Sequence, residues 1–69
     1  MNLYVNGKEM TFDENEFPEN ITALLAHLKV DETTVVAELQ GDIIPKDKFA
    51  DTQLEKGSKV ELVRFVPGG

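Results

Sequence analysis

Lys59-Val60-Glu61-Leu62-Val63-Arg64-Phe65-Val66 reads as a β-strand that runs directly into Pro67-Gly68-Gly69. Alternation along it sends Val60 and Leu62 to one side and Val63 and Phe65 to the other. The first pair belongs to a core. The second pair sits beside the tail on an open side and, with Val66 next in the chain, forms a candidate docking patch, although single exposed apolar residues are also ordinary. Pro67 has a fixed φ and biases Val66 towards an extended conformation, so the tail is expected to point away from the body. Gly68 and Gly69 have no Cβ and fit a passage too narrow for other residues. Such an end is either a frayed terminus or a delivery arm whose reactive group is the Gly69 carboxylate. The sequence divides accordingly into a domain over 1–66 and a tail over 67–69.

The elements before this strand decide how it is used. Asn2-Leu3-Tyr4-Val5 and Lys8-Glu9-Met10-Thr11-Phe12 both alternate around Asn6-Gly7. Asn-Gly supplies the two positive φ values of a type I′ turn, so the pair reads as a hairpin with Leu3, Val5, Met10 and Phe12 on the core side. Asp13–Pro18 is a polar link. Asn20 then stands as an N-cap before Ile21, Leu24, Leu25 and Leu28, one apolar stripe of a helix. That helix is short, roughly ten residues, and depends on a sheet beneath it. Asp31-Glu32-Thr33 ends it.

Thr34–Gln40 is β-branched and reads as a strand, with Val35, Ala37 and Leu39 on one side and Val36, Glu38 and Gln40 on the other. Gly41-Asp42 is expected to turn the chain into a very short strand, Ile43-Ile44, stopped by Pro45. Lys46–Ala50 reads as a helical turn with Phe49 inward, Leu54 as a core plug, and Lys56-Gly57-Ser58 as the last turn. A parallel pairing needs a crossover of about a dozen residues. Only the helix region and Lys46–Ser58 offer one. The expected fold is therefore α+β: a mixed sheet of order β-β-α-β-β-β in the chain, with the helix across one side and the first and last strands central and parallel.

Sixty-nine residues make one small domain, and a chain of this size buries only about 60% of its unfolded surface. There is no cysteine, so neither a disulfide nor a thiolate metal site is available. Thirteen acidic against seven basic residues give a net charge of −6. That balance argues against nucleic acid and anionic membranes as partners and favours basic protein surfaces. No apolar run reaches the length of a membrane span and the N-terminus reads as a strand, so a cytoplasmic protein is expected. His27, the single histidine, falls off the apolar stripe and reads as a solvated surface residue. The carboxylates are scattered, and no nucleophile–base set or Gly-rich phosphate loop is present. The sequence therefore predicts no catalytic residue, no metal ligand and no bound cofactor.

Three stretches carry a family resemblance. They are Val36-Ala37-Glu38-Leu39-Gln40-Gly41-Asp42-Ile43-Ile44-Pro45-Lys46, the run Thr52–Val66, and the closing Gly68-Gly69. Together with the Asn6-Gly7 hairpin they resemble the ThiS family, the sulfur carriers of thiazole formation in thiamine biosynthesis. The chain departs from that pattern at Pro67, where another small residue is common, at Phe49, where the aromatic is often Trp, and at Asp42, where Glu is more common. The resemblance implies a ubiquitin-like β-grasp fold and a carrier rather than an enzyme. It implies that a ThiF-like enzyme adenylates Gly69 with ATP, that sulfur from a persulfide-bearing protein converts it to a thiocarboxylate, and that a ThiG-like thiazole synthase takes the sulfur. Gly68 and Pro67 would govern access of the tail. A related carrier for molybdopterin synthesis and a ubiquitin-like binding module that is never activated are the alternatives.

Overall fold

The computed structural model describes residues 1–65. The hairpin forms as expected, from β1 (Asn2–Val5) and β2 (Lys8–Thr11). Asn6 and Gly7 have φ of 53° and 79°, the two left-handed residues that a tight antiparallel turn requires. Leu3 faces Met10 and Val5 faces Lys8 across the ladder. Phe12 N–H donates to Met1 O at 2.7 Å and the N-terminal ammonium donates to Phe12 O at 2.9 Å, which closes the open end of the hairpin.

The link after the hairpin has more structure than its polar composition suggests. Glu14–Glu16 make a 3-10 turn that brings Phe17 back onto Phe12, edge to face at 5.9 Å between ring centroids. The helix, α1 (Ile21–Leu28), follows. Asn20 caps it: its Oδ1 accepts from Ala23 N–H at 2.7 Å, while its Nδ2 donates to Ala50 O at 3.2 Å. Ile21, Leu24 and Leu25 are buried. At eight residues the helix is shorter than expected, because Lys29 leaves it at φ 58°. Val30 N–H then reaches back to Leu25 O at 2.9 Å. That 6→1 bond satisfies a terminal carbonyl, and Val30 packs against the core.

A second 3-10 turn, Glu32–Thr34, leads into β3 (Val35–Leu39). The turn to β4 (Asp42–Ile44) is centred on Gln40-Gly41, one residue earlier than expected. Gln40 takes φ 52° and Gly41 φ 86°, so Asp42 joins the ladder opposite Leu39. Pro45, which has no N–H to continue that ladder, starts a 3-10 turn over Lys46–Lys48. Phe49 follows and is 1% exposed. Leu54 is plugged into the core while its N–H donates to Glu19 O at 2.8 Å.

The last strand, β5 (Lys59–Arg64), takes the centre of the sheet, whose order is β2-β1-β5-β3-β4. It is parallel to β1 through Tyr4↔Lys59 and Val5↔Val60, and antiparallel to β3 over five pairs from Val35↔Arg64 to Leu39↔Val60. The parallel central pair is the arrangement expected from the sequence. Leu3, Val5, Val35, Ala37 and Val60 on the sheet, Ile21, Leu24 and Leu25 on α1, and Phe12, Phe49 and Leu54 from the connections form one buried cluster. Burial of each large aliphatic or aromatic side chain contributes about 1.5–3 kcal/mol. No polar or charged residue is buried among the described residues. All of this packing lies on one side of the sheet, and the other side is left bare.

Candidate functional site

The site is built on β5, because β5 is held from both flanks and leads in sequence to residues 66–69. Odd-numbered residues of β5 bond towards β3: Gln40 N–H donates to Lys59 O at 2.9 Å and Phe65 N–H to Thr34 O at 3.0 Å. Even-numbered ones turn towards β1, where Asn6 N–H donates to Val60 O at 2.9 Å. β1 ends at Val5, and the Asn6 side chain continues the pairing by accepting from Leu62 N–H at 2.7 Å. The backbone is thus anchored through Phe65.

Val63 and Phe65 emerge on the bare side and are 53% and 46% exposed. Val66, Pro67, Gly68 and Gly69, the remaining residues expected at the site, lie outside the described residues. Arg64 points to the helix side instead, opposite Val35. It lines a groove with Leu28, Lys29, Val30 and Leu62 at the C-terminal end of α1.

Two residues belong with Val63 and Phe65 that sequence reasoning did not select. Val36 is the cross-strand partner of Val63, and Ile43 lies one strand further out, opposite Glu38. They are 39% and 68% exposed. Met1 apart, these four are all the exposed large hydrophobic residues described, and they share one side of the sheet. Such concentration is what distinguishes a contact surface from scattered exposure. Beside Phe65 the surface dips into a groove lined by Val36, Ile43, Pro45 and Phe49. The signal for Val36 was present: a valine in an outward slot of a strand whose other outward residues are Glu38 and Gln40.

Among the described residues, no three of His, Cys, Asp and Glu converge to hold a metal ion. His27 is exposed, and its ring packs against Phe12 with 5.0 Å between centroids. The one carboxylate with a resolved shift, Asp31, is held below its ordinary value by the Thr33 backbone N–H and then by the Thr33 hydroxyl. It caps the turn before β3 as a structural acceptor. No helix among the described residues is long and apolar enough to cross a membrane.

A mixed five-stranded sheet with a single α-helix across one side, and with its last strand central, defines a ubiquitin-like β-grasp protein. The sequence model of the ThiS family matches residues 3–69. The chain belongs to the ThiS family. It is 30% identical over 67 residues to the sulfur carrier protein ThiS of Bacillus subtilis, covering 97% of this chain and 98% of that one. The crystal structure of the thiamine biosynthesis protein ThiS from Geobacter metallireducens superposes with a TM-score of 0.83 at 41% identity, each chain covered in full. The chain is also 36% identical over all its 69 residues to a protein of Paramagnetospirillum magneticum named thiazole synthase, but spans only 20% of that protein's length.

Proposed function

We propose that this protein is the sulfur carrier of thiazole formation in thiamine biosynthesis, acting in the cytoplasm. Gly69 is the modified residue. A ThiF-like enzyme transfers AMP from ATP to the Gly69 carboxylate and releases pyrophosphate. A persulfide on a sulfur-delivering protein attacks the acyl carbon and AMP leaves. A thiol then takes the outer half of the resulting acyl disulfide, leaving a C-terminal thiocarboxylate. A ThiG-like thiazole synthase consumes that sulfur. The carrier supplies no acid, base or metal to these steps.

What this chain contributes is recognition and delivery. Val63, Phe65 and Val66 dock on each enzyme, with Val36 and Ile43 widening the contact. Anchored through Phe65, the body aims Pro67-Gly68-Gly69 into the catalytic pocket. Gly68 keeps that passage narrow, since a Cβ there would widen the arm at the point of entry.

The observation that carries this reading is the family match running through residue 69, so that both terminal glycines fall within it. The relative named thiazole synthase, in which a segment like this chain occupies a fifth of the length, favours the synthase as a partner. The test is intact mass after incubation with ATP, a persulfide donor and a ThiF-like enzyme. Replacement of one oxygen by sulfur adds about 16 Da to the wild-type chain and nothing to a chain lacking Gly69. An unshifted wild-type mass would leave a binding module that is never activated. A shifted carrier that passes its sulfur to molybdopterin synthase, and not to thiazole synthase, would mark the sister pathway.

A further inference from the structure

The bare side of the sheet carries charge as well as apolar surface. Glu38 on β3 and Glu61 on β5 are direct partners in the antiparallel ladder, so both carboxylates leave on the same side. Like charges placed opposite each other in this way weaken a sheet. Ile43 flanks Glu38 in the same row. In the next row Val36 faces Val63, and Phe65 follows. In the other direction Lys59 stands two residues from Glu61 with Tyr4 as its parallel neighbour and Glu9 beyond Tyr4, so one ammonium stands beside the acidic pair and a third carboxylate lies two strands away.

The apolar residues therefore lie on two sides of the acidic pair. A flat partner that covers Ile43 and Val63 together passes over Glu38 and borders Glu61. Taking carboxylates out of water without a counter-charge is costly. A flat apolar partner is rejected on that ground, and a partner with a cation at this point is accepted.

Resting on the carrier reading above, we propose that this face takes a partner surface presenting an arginine or lysine within an apolar surround, the cation seated between Glu38 and Glu61. The distance along β5 places that cation roughly 13 Å from Phe65, four residues away at strand rise. The acidic pair thus works as a filter on which enzyme surfaces receive the tail, and its cost to the isolated domain is retained for that purpose.

The experiment is calorimetric titration of the full chain against its ThiF-like adenylating enzyme at low and high salt. It is run for wild type, Glu38→Gln, Glu61→Gln, the double variant and Phe65→Ala, with melting temperatures of the free chains. Each single Gln variant is expected to bind about tenfold more weakly, with the double variant losing less affinity at high salt than wild type. The same variants are expected to melt about 2–4 °C higher, because the like-charge pair is relieved. Undiminished binding by the double variant overturns the proposal, whether or not Phe65→Ala weakens binding, and so does a fall in its melting temperature with binding unchanged. Failure of the carrier reading has a separate signature, a wild-type chain whose mass does not shift on activation.

Discussion

Asn6 and Leu62 are 56 positions apart and share a hydrogen bond: Asn6 Oδ1 accepts from the Leu62 N–H at 2.7 Å. The bond ties the first turn of the chain to its last strand, β5. It also takes over where the backbone ladder between β1 and β5 stops, at Val5↔Val60. Asn6 meets two demands at once, a left-handed backbone and an acceptor placed over its neighbour strand.

Substitution separates the two demands. Asn6→Gly keeps the turn, since glycine adopts positive φ freely, but removes the acceptor. It should lower stability by about 1 kcal/mol, or about 4–8 °C in melting temperature. Asn6→Ala should cost about 1–2 kcal/mol more, because alanine is strained at φ 53°. Amide exchange should quicken at Leu62 in both variants while the α1 amides keep their protection. Unchanged exchange at Leu62 would show that the side-chain bond contributes nothing in solution.

Phe49 is the largest fully buried side chain, and it comes from an irregular connection rather than from the sheet or the helix. Phe49→Ala should cost about 3–5 kcal/mol, a large share of the roughly 5–15 kcal/mol available to a small domain. Urea unfolding should show a much lower midpoint with the slope preserved. A loss below about 1 kcal/mol would mean that the Lys46–Leu54 connection can collapse into the space without strain.

Asp31 gives a pH dependence of known sign. Its pKa is lowered by the hydrogen bonds from Thr33, so the folded state binds a proton less readily than the unfolded one. The resulting stability is present above the ordinary carboxylate value of 3.8 and is lost as pH falls through the lower folded value. Asp31→Asn keeps an acceptor for Thr33 but carries no charge. It should be the less stable protein at neutral pH, and the two melting curves should converge as pH falls below that value. A gap that stays constant in acid would assign the effect to geometry rather than to charge.

Local chemistry made much of the fold readable. Asn6-Gly7 specified a hairpin because few other pairs tolerate two positive φ values. The spacing of Ile21, Leu24, Leu25 and Leu28 specified a helix with one apolar side. Alternation along Lys59–Val66 placed Val60 and Leu62 inward and Val63 and Phe65 outward, and the structure agrees. Signals of this kind need only neighbouring residues. The turn falls on Gln40-Gly41 rather than on Gly41-Asp42 because the pairing of Leu39 with Asp42 requires positive φ at Gln40, a conformation glutamine seldom takes. The return of Phe17 onto Phe12 was hidden in a polar stretch whose conformation depends on what it packs against.

By itself the chain's order of residues determined that β5 has an inner and an outer side and that a crossover must separate it from β1. Those follow from side-chain period and connection length. Only the tertiary structure decided that Val36 stands opposite Val63, that Glu38 stands opposite Glu61, and that Ile43 completes the same surface. Register is the outcome of packing summed over all five strands against α1 and Phe49, and no local stretch contains that sum.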